Sequence, residues 1–295
     1  MSSLKEIKGR ITSVNSIWTI TSAMRMIASD KLHKAQGAIE NMLPYERKLN
    51  AMLAGLLSSD DTIDSPYTIR REVKRVAIVA VSSNSSLCGA FNANVVRKFH
   101  SVLHDDYGKL DRKDILLFPV GRKIYDAVKK EGFEPQGDFQ HLSDKPDYKG
   151  AAELAQRLMH LFVTGEVDRV DLIYNHFKST AVQIMTQEPY LPLEQEIPTA
   201  DASSHEGKWN LQPDYILEPS RDELIRAMLP MVLSLKIYTV LLDSSAAEHA
   251  ARTMAMQLAT DNADELLQEL TVQYNKTRQQ AITNELLDIM SGAAV

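Results

Sequence analysis

The stretch Ser220–Leu242, SRDELIRAMLPMVLSLKIYTVLL, decides the fold. Ser220 with Glu223 three residues on has the spacing of a capping box, in which each residue satisfies a backbone N–H of the other at a helix start. Leu224, Met228, Met231, Leu235, Tyr238 and Leu242 then recur at steps of four and three, the seam of a helix packed along another helix. From there to about Ser291 the only breaker is Pro230. Ala247, Ala251, Met254 and Leu258 continue the spacing, and Ala259, Ala263, Leu266 and Leu270 do so after a shift in phase. A helix of roughly 70 residues would be about 105 Å long, against the usual ~10–14 residues of a globular helix. Such a rod needs a partner along its length.

The opposite end of the chain offers one. Ser3 and Glu6 have capping-box spacing, and Ile7, Ile11 and Val14 begin an apolar stripe that runs on through Ile17, Ile20, Met24 and Ile27. It resumes with Ala28, Leu32, Ala35, Ile39 and Met42, and later Leu49, Leu53 and Leu56. Pro44 should kink this helix or begin a second segment. Residues 1–48 carry eight Lys/Arg against four Asp/Glu, net +4; residues 220–295 carry six against ten, net −4. Opposite charge and matching seams predict an antiparallel coiled coil. Its C-terminal arm is longer by roughly 15 residues at ~1.5 Å each. The tip of the closing stretch NKTRQQAITNELLDIMSGAAV (Asn275–Val295) should therefore protrude unpaired, ending on the small, uncharged Gly292, Ala293, Ala294 and Val295.

Between the arms the text changes character. VAIVAV (Val76–Val81) and ILLFPVG (Ile115–Gly121) are short apolar runs of the kind buried on both faces of a parallel sheet, and VDLIYNHF (Val170–Phe177) is a third strand. Helical patterns fall between them at about Ala90–Leu103, Lys123–Lys130 and Ala151–Val163. AVQIMTQEPYLPL reads as an antiparallel edge strand because of its prolines. Ser58–Ser65 and residues 194–215 read as linker and loop. The fold class is α/β with a long coiled coil: N- and C-terminal helices pair antiparallel around an inserted Rossmann-like, mostly parallel α/β domain. The expected boundaries are 1–58, 70–215 and 216–295.

Composition narrows the function. The 295 residues carry a net charge of −6, which disfavours general nucleic-acid binding. Cys88 is the single cysteine, so no intrachain disulfide forms and a reducing compartment is expected. No apolar run long enough to span a bilayer is apparent, and MSSLKEIKGR has neither a signal-peptide core nor a transit-peptide pattern. The loop SSNSSLCGAFN (Ser82–Asn92) sits where doubly wound folds bind phosphate, yet has one glycine and neither phosphate-loop pattern. A structural turn is the better reading. Cys88 has no His or acid beside it in sequence, and His100 with His104 has metal-pair spacing but no third ligand in view. No catalytic constellation, cofactor site or metal site is expected.

Two long motifs add a resemblance. RITSVNSIWTITSAMRMIASDKLHKAQ is similar to the N-terminal signature I-x-S-V-x-[ST]-x-x-[KQ]-I-T-x-A-M-x-M-[VI]-A-[AS]-x-[KR] of the gamma subunits of F-type ATP synthases, and Pro44-Tyr45 also fits. EHAARTMAMQLATDNADELLQEL and YNKTRQQAITNELLDIMSGA are similar to that family's C-terminal motifs. The resemblance covers essentially the whole chain. It departs at the middle motif, usually S-D-[KR]-G-L-C-G, where Asn84, Ser85 and Ser86 replace the acid, the base and the first glycine. Thr19 and Thr253 stand where Lys and Met are common, and no inserted cysteine pair of the chloroplast type is present.

The resemblance implies a rotating central shaft inside a ring of three alpha and three beta subunits, itself without catalytic residues. It implies contacts to those subunits through Met24, Arg25 and Arg252 at the coupling level and through Arg278, Gln279, Thr283, Glu285 and Asp288 nearer the tip. The α/β domain would dock with the epsilon subunit and sit on the membrane ring of c subunits, on the cytoplasmic face of a bacterial inner membrane. Two other readings stay open from the residues alone: a non-motor coiled-coil scaffold with an α/β docking domain, and a nucleotide-dependent enzyme with a Rossmann-like core.

Overall fold

A computed structural model describes residues 4–57, 65–193, 218 and 220–292. Ser3, most of the expected linker, the loop 194–215, Pro219 and the final Ala293–Val295 lie outside the described residues. The described chain falls into two compact units. One joins residues up to Asp30 with those from Arg252 onward; the other runs from Lys31 to Ala251.

Two helices contribute to both units: α1, Leu4–Leu57, and a C-terminal helix, Arg221–Gly292. The C-terminal helix starts as expected, with Ser220 Oγ accepting from Glu223 N at 3.3 Å. In α1, Pro44 does not begin a second segment, because one helix continues through it. Pro44 is exposed, and buried side chains hold the helix on either side: Leu32 and Ala35 before it, Leu49 and Leu53 after it. Packing here outweighs one lost backbone hydrogen bond.

The larger unit is built on a four-stranded sheet. Strands β1 (Val76–Val81), β2 (Ile115–Val120), β3 (Arg169–Phe177) and β4 (Gln183–Leu191) lie in the order β2-β1-β3-β4. β1 pairs parallel with β2 and β3, and β4 adds antiparallel at the edge, as its prolines suggested. Every residue of β1 is buried, which is why its text alternates nowhere. Helices α2 (Phe91–Ser101) and α3 (Arg122–Lys130) cover one face with Val95, Phe99, Ile124 and Val128. The single turn α4 (His141–Asp144) and α5 (Tyr148–Val163) cover the other with Leu142, Leu154, Leu158 and Phe162.

That second face also takes up the C-terminal helix, hereafter α6. Leu233, Ile237, Val240 and Leu241 join the sheet core with Leu172, Tyr174 and Tyr190. On its other side α6 meets α1: Ile225 and Leu229 pack with Leu53 and Leu56, and Ala246 and Ala250 with Leu32 and Ala35. The single heptad seam expected from Leu224 to Leu242 is therefore corrected. Met231, one of its members, is 43% exposed, while Ile225, Leu229, Leu233 and Ile237 are buried. A helix sandwiched between a sheet and another helix needs two apolar sides, and one line of steps cannot describe both. The same composition makes α6 the one described helix apolar and long enough to cross a membrane, contrary to the expectation that no run would be. Its apolar side chains are used against the sheet and α1.

In the smaller unit α1 and α6 run antiparallel. Thr260 Oγ1 donates to Thr21 Oγ1 at 2.9 Å, and the Arg25 guanidinium donates to Gln257 Oε1. Counting outward one residue for one from the threonine pair places Leu4 against Thr277. The inward line on α6 is Met256, Thr260, Ala263, Leu267, Leu270, Tyr274 and Thr277, all buried or half-buried, with alternating steps of four and three. On α1 it is Leu4, Ile7, Ile11, Val14, Thr21, Arg25 and Ala28. Here too the sequence reading needs correction. Ile17, Ile20, Met24 and Ile27 are 52%, 57%, 38% and 59% exposed. They form a second stripe turned away from α6.

Candidate functional site

The loop after β1 is built to satisfy itself. Asn92 Nδ2 donates to Ser83 Oγ, to the Ser85 carbonyl and to Cys88 Sγ at 2.8, 3.2 and 3.1 Å, while Asn92 Oδ1 accepts from Ser83 N. The first-turn N–H groups of α3, the natural place for a phosphate, are already bound. Arg122 N donates to Asn84 Oδ1 at 2.8 Å, Lys123 N to the Ser83 carbonyl at 3.2 Å and Ile124 N to Ser82 Oγ at 2.9 Å. Cys88 is buried with Phe91 against Ala247 of α6, a packing position. The loop thus fastens three elements together and fills the N-terminus of α3 with its own groups.

Asn84 explains how the departure at this motif is accommodated. Its Oδ1 caps α3, and its Nδ2 donates to Asp144 Oδ2 at 2.7 Å and to the Gln140 carbonyl at 2.9 Å. An aspartate could cap α3 equally well but would face Asp144 with a second carboxylate. We therefore expect Asn84→Asp to destabilise the chain by ~1 kcal/mol near pH 8, a modest cost because Asp144 is exposed. The loss should shrink in high salt, which screens repulsion between exposed carboxylates. Denaturant midpoints at low and high salt check this, and an equal loss at both would refute it.

His100 and His104 stack at 6.5 Å between ring centroids, and His100 Nδ1 lies 3.5 Å from Glu131 Oε1. Among the described residues no group of three or more His, Cys, Asp or Glu side chains is arranged to hold a metal ion.

All eight residues singled out by resemblance fall in the smaller unit. Met24 belongs to the outward apolar stripe and Arg25 is half-buried on Gln257, which in turn donates to Asp261 at 2.7 Å. Arg252 is half-buried, and Arg278, Gln279, Thr283, Glu285 and Asp288 are exposed. Beyond Thr277 every described residue to Ser291 is exposed except the half-buried Ala281. This segment still carries Ile282, Leu286, Leu287, Ile289 and Met290 at 48–70% exposure. Large apolar side chains held out in water on a single helix mark a surface made to be covered.

Sequence reading missed two polar groups. Asp171 is wholly buried in β3, accepting from Tyr107 Oη at 2.5 Å and Arg169 Nε at 2.8 Å. Burial, then the Asp171 hydrogen bond, pushes the Tyr107 hydroxyl well above its ordinary pKa. The second group joins α6 to the sheet. Asp243 Oδ1 accepts from Phe177 N at 2.9 Å, its Oδ2 lies 2.6 Å from His176 Nδ1, and Lys236 Nζ lies 2.9 Å from Glu188 Oε1. Burial raises the pKa of Asp243, and the bonds from His176 and Phe177 oppose it. An acid inside VDLIYNHF and two charges along an apolar helix were the only signals available.

Comparison with known proteins follows the same lines. A sequence model of the ATP synthase family matches residues 3–295. The ATP synthase gamma chain of Phocaeicola vulgatus is 59% identical over 293 residues, covering 99% of each chain. That of Bacteroides fragilis is 60% identical with the same coverage. Among solved structures, a chain of the Euglena gracilis mitochondrial ATP synthase matches with a TM-score of 0.64 at 19% identity, covering 99% of this chain and 93% of that one. A chain of the Tetrahymena thermophila mitochondrial ATP synthase central stalk and c-ring matches at 0.55 and 22% identity, over 81% of this chain and 99% of that one. These last two speak to fold alone. With a helix pair, an inserted mixed sheet and near-complete coverage by close relatives, the chain belongs to the ATP synthase gamma-chain family.

Proposed function

We propose that this chain is the rotating central-stalk subunit of an F-type ATP synthase, a non-catalytic part that carries torque between the membrane c-ring and the alpha3beta3 head. The observation that carries the proposal is the overhang of α6 beyond its partner, with Ile282, Leu286, Ile289 and Met290 exposed on it. A bearing surface of this kind has few directional bonds, so no angular position within a surrounding sleeve is strongly favoured. Arg278, Gln279, Thr283, Glu285 and Asp288 on the overhang, and Met24, Arg25 and Arg252 lower down, are the contacts to the alpha and beta subunits. Residues 1–58 and 216–295 act as the shaft, and residues 70–215 as the unit that docks the epsilon subunit and the c-ring. The complex works at the cytoplasmic face of a bacterial inner membrane.

The mechanism follows from symmetry. One asymmetric rod in a nominally three-fold ring presents a different face to each catalytic site. Turning it changes the relative stability of open and closed states at each site in sequence, because each face makes different contacts.

Co-purification with three alpha and three beta subunits, and ATPase measured with and without this chain, test the reading. Assembly as a single copy with altered ATPase supports it. Self-association with no affinity for the alpha/beta hexamer would replace it with the scaffold reading.

A further inference from the structure

A shaft that turns with an inserted domain needs a joint between them, and apolar packing alone makes a poor one. Leu233, Ile237, Val240 and Leu241 hold α6 on the sheet, but burial of this kind is non-directional. It resists separation far more than it resists rolling or sliding. Hydrogen bonds fall off steeply with angle and distance, so they resist shear.

Within the larger unit two α6 side chains make links of that sort to neighbouring strands, beside the buried bond that Tyr190 Oη of β4 donates to the Leu233 carbonyl at 3.0 Å. Lys236 binds Glu188 of β4 at 2.9 Å, and Glu188 also accepts from Tyr174 Oη of β3 at 3.3 Å. Seven residues on, and so on the same side of the helix, Asp243 spends one oxygen on Phe177 N and the other on His176 Nδ1, both at the end of β3. The Asp243 side chain is 16% exposed and that of Glu188 26%, against 49% for His176 and 42% for Lys236, so each link is shielded on its carboxylate side and open to water on the other. They carry opposite signs, so neither can exchange partners with the other. The Phe177 ring, beside the second link, packs where Ala246 and Ala250 meet α1, and where Ala247 meets Cys88 and Phe91.

We infer that Lys236 and Asp243 are positioning residues that lock α6 against rotation relative to the sheet, so that torque passes between shaft and α/β domain without slip. The inference rests on the central-stalk reading and adds to it where, inside this subunit, the torque crosses. The sliding freedom left by the apolar contacts is opposed by these side chains one heptad apart, on two different strands.

The test uses the complete ATP synthase of this organism in membrane vesicles, wild type against Asp243→Ala, Lys236→Ala and the double variant. ATP hydrolysis and ATP-driven ion pumping are measured on the same preparation. Hydrolysis is expected to stay within about two-fold while pumping per ATP falls at least three-fold in the double variant. Asp243→Glu should restore most of it. Leu241→Ala, which weakens packing without touching a link, should lower the denaturation temperature and leave pumping per ATP unchanged. Where Asp243→Ala fails to assemble, the isosteric Asp243→Asn takes its place, keeping the acceptor for Phe177 N and losing the charge opposite His176. Unchanged pumping per ATP in the assembled double variant overturns the joint while leaving the central-stalk reading intact. If wild-type chain never enters the complex, that reading itself fails.

Discussion

Gly121→Ala should be among the most damaging single-atom changes this chain can suffer, costing about 3 kcal/mol or more. Gly121 lies between β2 and α3 with φ +98°, a conformation that strains any residue with a Cβ by ~1–2 kcal/mol. A methyl group there would sit 2.2 Å from the Ser82 carbonyl oxygen and 2.8 Å from its carbon. These are backbone atoms of the loop that follows β1. That carbonyl already accepts from Ser143 Oγ at 2.7 Å, and Ser82 Oγ caps Ile124 N. Moving Ser82 aside, typically another ~1–3 kcal/mol of forced adjustment, would also loosen the start of α3 and the hold on α4. Denaturant titration followed by circular dichroism measures the loss; a change below 1 kcal/mol would mean that the loop yields easily.

Ala250→Phe is expected to cost roughly 3 kcal/mol for a different reason. Ala250 is fully buried where α6 crosses α1, together with Ala246, Leu32 and Ala35, and with Ile39 and Phe177 close by. Three alanines among four buried residues let the two helix backbones approach closely, which leaves no space for a ring. The helices must separate, and the neighbouring contact of Ala247 with Cys88 and Phe91 would be strained with them. The prediction is checked by the denaturation midpoint of the isolated chain and by its incorporation into the complex. A stability within 0.5 kcal/mol of wild type would show a cavity at this crossing.

The strands were legible because each is a short apolar run between turn residues, and β4 was placed at an edge because proline has no N–H to donate to a neighbouring strand. The pairing of the two chain ends was legible from their opposite charge and common spacing. What spacing could not disclose was which of two apolar sides faces which neighbour. Ile17, Ile20, Met24 and Ile27 step like a seam and lie exposed, while the polar Thr21 and Arg25 share the inner line with Val14 and Ala28. Met231 was misplaced for the same reason. Asp171 and Asp243 were illegible because Tyr107, which donates to the first, lies 64 residues away and the partners of the second lie 66 and 67 away, and a carboxylate's role is set by what surrounds it in space. The overhang was legible from the unequal lengths of the two arms, whereas the individual contact residues on it stood out only through resemblance.

That overhang has a thermodynamic consequence for the free subunit. A solitary helix of some fifteen residues is marginal in water, and residues beyond Thr277 have no described neighbour to steady them. In the free subunit the segment's helicity rests on local propensity alone, and a partner that covers it must complete the helix and bury its oily side chains together. Part of the grip is thereby spent on conformational entropy, which makes docking tunable by residues that touch nothing but their own helix.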